Sequence, residues 1–471
     1  MTMAAEKPDA SSPSSDNVSM TSLTHEAYDL EANDHSSTPR PAPGNNEKQL
    51  TGVLSRTLSR VRTKDAKVDP GPPPDGGKTA WLMVFLTHLV IFNTWGFINS
   101  FGLFETYYVN IMHLGSSSQV AWIGSLQVFI LFGMGTFSGR ATDAGFFKLT
   151  FVIGSVIQLC GTFLTSWCKT YWQVLLAQGV CVGIGNGLVF VPSVALASTY
   201  FLKNRAVALG LCASGSATGG LVFPAIAQQL LPKVGFPWTI RVMGFVMMVG
   251  MITAATLMKP RLPPRKSGPL IEWTAFTELP FLFFCLSAFF LFWGIYVGFY
   301  YVGSFAREIL HTGQTTSIDL LLTMNGVGLP ARIIPAYFSD RRFGPLNSIL
   351  PFAAIAGVVL YSWAAVDTVT GVWIFAVVYG ALAAGVQGLF PAVLTSLSRD
   401  PKKTGVRTGM GFGVAGFACL SGPPIAGALI DANGGSYLYA QVFAGSSMVA
   451  AFIMLNICRY TQVGFELKSK I

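Results

Sequence analysis

The sequence predicts an all-α membrane protein whose twelve transmembrane helices form two parallel halves of six helices each. Its composition, its apolar segments and a repeat between its halves lead to this prediction. Hydrophobic residues make up 51% of the 471-residue chain and charged residues only 11%, whereas a soluble chain carries about 25% charged residues. This composition is typical of a polytopic membrane protein and argues against a soluble enzyme.

Twelve apolar segments follow residue 77, and each is long enough to cross about 30 Å of hydrocarbon. Residues 1–77, in contrast, are rich in Ser, Pro, Asp and Asn and show no apolar periodicity, which predicts a disordered tail. The segments are predicted near residues 79–105, 117–138, 147–167, 171–200, 204–230, 238–258, 278–305, 315–338, 346–366, 371–397, 406–430 and 437–459.

Three pairs of similar residues recur with nearly the same spacing along the chain. They are Asp143 with Asp340, Pro192 with Pro391, and Arg205 with Arg407, which are 197, 199 and 202 positions apart. Such a repeat indicates two parallel halves, with a substrate site between them near the middle of the membrane. The predicted domains are a cytoplasmic tail (1–77), a first half (78–258), a linker (259–277), a second half (278–460) and a second cytoplasmic tail (461–471).

The Lys and Arg residues are distributed unevenly between the two sides of the predicted bundle. Twenty-six of the 31 fall on the side that holds both termini, and an excess of Lys and Arg marks the cytoplasmic side. Both termini are therefore predicted to be cytoplasmic. The net charge of +9 follows from this bias in a lipid bilayer, so no nucleic-acid partner is expected. The sequence favours a monomer in the plasma membrane and leaves a vacuolar membrane open.

Arg332 is the one Lys or Arg residue predicted to lie well inside a transmembrane segment. A guanidinium there costs about 3 kcal/mol on insertion scales, and such residues usually face a water-filled cavity or a partner. The alternative is a structural arginine that reaches the headgroups or pairs with a helix-end carbonyl. We favour the functional interpretation, in which Arg332 lies in a cavity between the halves.

Helix phase predicts which other side chains share this cavity. One face of the first segment carries His88, Phe92, Trp95 and Asn99 at helical spacings. The predicted substrate-binding residues are Arg332, Asn99, Trp95, Asn186, Trp293, Tyr296, Tyr300, Asn325 and Gln387. Aromatic rings around one cation and several amides suit a bulky, partly planar anion, and ordinary membrane packing of the aromatics is the alternative. His88 is a candidate for proton coupling, with packing against a neighbouring helix as its alternative.

Two loops on the predicted cytoplasmic side repeat a carboxylate with arginines nearby. The first contains Arg140 and Asp143, and the second contains Asp340, Arg341 and Arg342. Such groups form salt bridges between helices, so we predict a gate that closes the cytoplasmic side. The pattern resembles the signature loop of the major facilitator superfamily, and the resemblance implies that family's twelve-helix fold.

Further motifs resemble the monocarboxylate porter family of that superfamily, and in particular its fungal branch. They are Pro74-Asp75-Gly76-Gly77, Asn99-Ser-Phe-Gly102, the Gly-rich run that ends at Pro224, and Arg332. The resemblance implies transport of organic anions, often with protons, and matches Arg332 to the carboxylate-binding arginine of the family. Asn99 stands where animal members have a lysine, and Gly328 where they have an acid, which argues against simple lactate–proton cotransport.

Together these observations predict a secondary active transporter of a small organic anion that works by alternating access, with efflux of a fungal secondary metabolite favoured. Proton-coupled uptake of a monocarboxylate or riboflavin is the first alternative, and a membrane sensor that does not transport is the second. No enzymatic activity, cofactor or metal is expected. Residues 71–79 resemble a phosphate-binding loop, but its glycine spacing is wrong and its three prolines lack backbone N–H groups.

Overall fold

The structure is a computed structural model that describes residues 71–263, 270–398, 400, 403–466, 469 and 470, apart from the side chains of Ser117 and Ser118. All regular secondary structure within these residues is helical. The predicted disorder of residues 1–70 lies outside the described residues, as do parts of the predicted linker and of the C-terminal tail.

The first half contains six helices, α1–α6. They span Gly77–Asn110 (α1, with a break at Ser100), Ser117–Ala141 (α2), Phe147–Thr165 (α3), Tyr171–Ser198 (α4), 205–234 (α5) and 236–257 (α6). The chain turns back at Gly145, with φ 89°, between α2 and α3, and at Gly235, with φ 74°, between α5 and α6. Glycine adopts such positive φ values without the steric cost that a side chain brings.

The second half contains six further helices, α7–α12. They span Leu279–Glu308 (α7), Gln314–Phe338 (α8), Pro345–Ser362 (α9), Val369–Ser396 (α10), Thr404–Ala432 (α11) and Leu438–Val463 (α12). Prolines lie inside α8, α10 and α11. Transmembrane helices tolerate such prolines because neighbouring helices satisfy the freed backbone groups.

The structure confirms the prediction of twelve membrane-crossing helices. Among the described residues, nine continuous helical stretches are long and apolar enough to cross a membrane. Two of them, Gln119–Thr165 and Arg205–Leu257, each contain two helices joined by one of the glycine turns. These nine stretches contain eleven of the twelve helices. The remaining helix, α8, is less apolar because it contains Asp319, Asn325 and Arg332.

The two halves meet along two equivalent pairs of helices. Helix α2 packs against α11, and α5 packs against α8. The α2–α11 backbones approach so closely that a Cβ atom added to Gly405 would lie 2.5 Å from the carbonyl oxygen of Gly139. Small residues permit this contact. We call the end of the bundle that holds the starts of α5 and α11 the base, and the opposite end the mouth.

Candidate functional site

The centre of the bundle contains a cavity with two adjoining chambers of about 40 and 100 Å³. Both chambers are lined by Trp95 and Ser216 from the first half and by Tyr296, Arg332 and Gln387 from the second. We call these two chambers the central cavity. An outer chamber of about 240 Å³ continues from it toward the mouth. The location between the halves is the one that the sequence repeat predicts for a substrate.

Arg332 is buried in the wall of the central cavity. Its Nη1 donates a hydrogen bond to the carbonyl oxygen of Gly328, and its Nη2 donates one to Oε1 of Gln387, both at 3.0 Å. Its Nε has no hydrogen-bond partner among the described residues. A Cβ atom at position 328 would lie 2.5 Å from Nη1, so the glycine makes room for the guanidinium. A fixed cation with one unsatisfied donor is suited to an anionic ligand.

Aromatic rings from both halves form most of the wall around this cation. Trp95 of α1 and Tyr296 of α7 are parallel, with an interplanar angle of 5° and ring centroids 6.3 Å apart. The smaller chamber is also lined by Phe132, Phe190, Phe292, Phe390 and Phe412. These five phenylalanines were not predicted from the sequence, because apolar residues at such positions are equally typical of lipid-facing surface. Together the rings form an apolar pocket that suits a flat, aromatic ligand.

Asn99 and Asn325 line both the central cavity and the outer chamber, and Tyr300 lies beside them. Nδ2 of Asn99 donates to the carbonyl oxygen of Ser216 at 3.2 Å. The two amides reach the same place from opposite halves, because a Cβ atom at Gly220 would lie 2.6 Å from Nδ2 of Asn99 and 2.6 Å from Oδ1 of Asn325. They therefore place polar groups on the path between the central cavity and the mouth.

Two of the predicted binding residues lie away from the central cavity. Asn186 is fully buried in α4, and neither polar atom of its side chain has a hydrogen-bond partner among the described residues. Trp293 donates from Nε1 to Oγ of Ser421 at 3.1 Å, and its ring centroid lies 4.8 Å from that of Phe443. The adjacent Phe292 lines the cavity instead, so helix spacing alone misjudged the direction of this side chain.

His88 packs between α1 and α5, as its structural alternative predicted. Its Nδ1 lies 2.9 Å from the carbonyl oxygen of Leu211 and 3.2 Å from Oγ of Ser214, and its Nε2 lies 3.1 Å from Oγ1 of Thr218. Both ring nitrogens thus have partners within the first half. His88 does not line the central cavity, and this placement disfavours proton exchange with a substrate there.

Glu105 is a cavity residue that was not predicted from the sequence. It lines the larger chamber of the central cavity, together with Arg332, and also lines the outer chamber, together with Arg307 and Glu308. The predicted first segment ends at this position, whereas α1 continues to Asn110. A carboxylate therefore lies on the path between Arg332 and the mouth.

The base is closed by two carboxylates that each cap a helix of the other half. Asp143, which follows α2, accepts hydrogen bonds from two backbone N–H groups at the start of α11, at 3.1 and 2.9 Å. Asp340, which follows α8, accepts two from the start of α5, at 2.9 and 2.7 Å. A carboxylate at a helix N-terminus satisfies unpaired N–H groups and is favoured by the helix dipole. The two contacts therefore join the halves at the base, and we call them the base gate.

The two arginines of the second loop have a different environment from the predicted salt bridge with Asp340. The guanidinium of Arg341 lies 4.3 Å from the ring centroid of Tyr337, and Arg342 is exposed. Among the described residues, Asp340 forms no salt bridge with either arginine. Arg140 lies half-buried near the end of α2. Asp340 instead accepts hydrogen bonds from backbone N–H groups at the start of α5, which has no side-chain cap of its own.

Comparisons with known proteins agree with this architecture. Residues 80–423 match the model of the Major Facilitator Superfamily. The chain is 44% identical over 396 residues to an MFS-type transporter of Gibberella zeae, with 83% of this chain and 89% of the relative covered. It is 32% identical over 382 residues to the aspyridones efflux protein apdF of Emericella nidulans, with 80% of this chain and 77% of the relative covered.

Two solved structures show the same fold at low sequence identity. The human organic anion transporter MFSD10 (TETRAN) is 12% identical with a TM-score of 0.65, and the match covers 80% of this chain and 99% of that chain. The transporter FucP in the outward conformation is 14% identical with a TM-score of 0.61, and the match covers 81% and 99%. Family match, relatives and fold agree: the chain belongs to the major facilitator superfamily and is a multi-pass membrane transporter, not an enzyme.

Proposed function

We propose that this transporter exports a flat, aromatic organic anion, a product of fungal secondary metabolism, by alternating access. One relative is named an efflux protein for aspyridones, which supports the direction and the class of solute. Membership of the superfamily alone does not specify either, since one fold serves many substrates. The lining of the central cavity supports the substrate class.

The observation that carries the proposal is the buried Arg332, with its unsatisfied Nε, inside a pocket walled by aromatic rings. An anion beside the guanidinium neutralises its charge, whereas a cation is repelled by it. A sugar needs many hydrogen-bonding groups, and the rings around Arg332 offer few. A flat acid gains both the charge-assisted contact and the apolar contact with the rings.

The proposed pose places the acidic group of the substrate at Arg332 and Gln387 and the flat body against the rings of Trp95 and Tyr296. Since one ring of this pair belongs to each half, the substrate contacts both halves at once. With the base gate formed, the chambers continue toward the mouth. We interpret this arrangement as the state from which an exported substrate leaves, and breaking the two caps of the gate gives the opposite state.

We also propose that the base faces the cytosol. The predicted cytoplasmic excess of Lys and Arg lies at this end, next to the helix starts that Asp143 and Asp340 cap. A tag at either terminus is then protected from protease added to intact cells and becomes cleavable after permeabilisation. Cleavage of either tag in intact cells would refute the orientation.

A counterflow assay tests the proposed substrate class. Purified protein in liposomes loaded with a flat aromatic acid, such as an anthraquinone carboxylate, should accumulate the labelled acid, and a neutral carboxamide of the same ring system should not exchange. Trp95→Ala should weaken the apparent affinity about tenfold, because one stacking partner is lost.

The matched control for Trp95 is Trp293, an aromatic residue of α7 whose side chain points away from the cavity. Trp293→Ala should change the apparent affinity less than about twofold, as expected for a site away from the ligand. Equal losses in the two variants, or equal exchange of the acid and the carboxamide, would contradict the proposed pose.

A further inference from the structure

The segment that leads into α1 is bound to the base. Arg261, which follows α6, donates hydrogen bonds to the carbonyl oxygens of Gly71 and Pro72 at 2.5 and 2.7 Å. The same guanidinium donates to the carbonyl oxygen of Thr199 at 3.1 Å. Residues 71–75 are therefore fixed against the connection between α4 and α5, within the first half.

Asp75 makes the closest contacts of this segment. Its Oδ1 accepts hydrogen bonds from the backbone N–H groups of Leu202 at 2.5 Å and Lys203 at 2.6 Å. Its carbonyl oxygen accepts one from Nδ2 of Asn204 at 3.3 Å. The φ of Asp75 is 51°, in the left-handed region that residues other than glycine seldom occupy. A residue held in such a conformation by its surroundings points to a specific role.

The backbone N–H groups that bind Asp75 lie close in sequence to those that bind Asp340 of the base gate. Asp340 of the second half accepts from the N–H groups of Ala206 and Val207, and Asp75 of the first half accepts from residues 202 and 203. Asn204 precedes α5 but makes no side-chain cap. Two carboxylates, one from each half, thus position the six-residue stretch at the start of α5.

The second half repeats this arrangement with different groups. Glu272, on the segment that leads into α7, is buried and pairs with Lys403 and with Arg407, the latter at 3.2 Å. Burial acts to raise the pKa of the Glu272 carboxyl, but the hydrogen bonds from Arg407 and Lys403 outweigh it and lower the pKa. Lys403 directly precedes α11, and Arg407 lies in its first turn. This helix start is the one that Asp143 caps.

We propose that Asp75 and Glu272 are positioning residues of the base gate. Asp75 holds the start of α5 in the position where Asp340 caps it. Glu272 holds the start of α11 in the position where Asp143 caps it. The contacts of Asp75 and Glu272 lie within one half, so they persist when the halves separate, whereas the two caps break. The proposal rests on the alternating access proposed above.

The test is a set of double-mutant cycles read by labelling of Cys212, which lines the central cavity. Inverted membrane vesicles expose the base to a membrane-impermeant maleimide, and peptide mass spectrometry gives the labelling rate at Cys212 alone. Asp75→Ala should raise this rate about fivefold, the lower end of typical coupling between sites. Asp75→Asn, which keeps an acceptor oxygen and the side-chain shape, should raise it less.

The pattern of coupling decides between positioning and general destabilisation. In the Asp340→Asn background, Asp75→Ala should raise the labelling rate of Cys212 less than about twofold further. In the Asp143→Asn background, it should raise the rate by the same factor as in the wild type. Glu272→Gln should show the opposite pattern. It should raise the labelling rate little further in the Asp143→Asn background and by its full wild-type factor in the Asp340→Asn background. The proposal would be overturned if the effects on the labelling rate multiplied fully in all four double variants. It would also be overturned if Asp75→Ala alone left the rate unchanged.

The same assay separates failure of this inference from failure of the proposed transport cycle. If Asp340→Asn and Asp143→Asn both leave the labelling rate unchanged, the base gate itself is refuted, and the inference falls with it. If they raise the rate and the Asp75 and Glu272 variants do not, only the positioning role is refuted. Labelling needs no substrate, so neither result depends on the identity of the exported anion.

Discussion

Replacing Arg332 with alanine is expected to abolish transport of the anionic substrate while the protein still reaches its membrane. The buried guanidinium has an unsatisfied Nε, and alanine cannot replace the charge-assisted contact that a substrate makes there. Loss of such a contact costs about 2–4 kcal/mol, which corresponds to about 30- to 1000-fold in affinity. Counterflow and the amount of protein at the membrane, measured in the same cells, check this expectation.

Two further variants separate the charge of Arg332 from its shape. Arg332→Lys keeps the charge but loses the planar fork that binds Gly328 and Gln387 at once, so it should be poorly tolerated. Gln387→Leu keeps the cation and removes one of its partners, so its defect should be smaller than that of the lysine variant. A reduced protein level with normal affinity in Arg332→Ala would instead show that the arginine is structural.

Asp340→Asn is expected to slow turnover about tenfold while substrate still binds. The carboxylate accepts two hydrogen bonds from the start of α5, whereas an amide has one acceptor oxygen and presents an NH₂ group to the other N–H. An unsatisfied polar pair costs about 1–3 kcal/mol when it is buried and less at the half-buried Asp340, and this cost weakens closure of the base. The turnover rate and the binding affinity, measured on the same purified variant, check this.

Asp143→Asn is the matched variant in the other half, and the pseudo-symmetry of the gate predicts a similar loss. The cavity residues are unchanged in both variants, so the substrate affinity should stay within about twofold. Normal turnover in Asp340→Asn would remove this residue from the mechanism. A large loss of affinity would show that the effect reaches the cavity and is not confined to the base.

The sequence predicted the transmembrane helices well because hydrocarbon imposes both their length and their composition. The sequence also predicted residues that line the central cavity beside Arg332. Helix phase placed Trp95 and Tyr296 on cavity faces, and the repeat placed Gln387 near the middle of the membrane. The extension of α1 to Asn110 was missed, because polar residues at the end of a span resemble a loop.

The rest depends on contacts between distant segments. Trp293 and Phe292 are adjacent in α7, and only the packing of α11 and α12 shows which of them faces the cavity. Asp340 and Asp143 bind backbone N–H groups of the opposite half, and a backbone partner leaves no residue-type signal. The sequence pattern therefore predicted that these carboxylates form a gate but not the bonds that close it.

The measurement that most directly tests anion binding at Arg332 compares two ligands on two proteins. Affinities of an aromatic acid and its neutral methyl ester are measured for the wild type and for Arg332→Ala, each purified and shown to have the same thermal stability. We expect the acid to lose about 30- to 1000-fold in affinity and the ester to change less than about threefold. Equal losses for the acid and the ester would contradict a role for Arg332 in binding the anionic group.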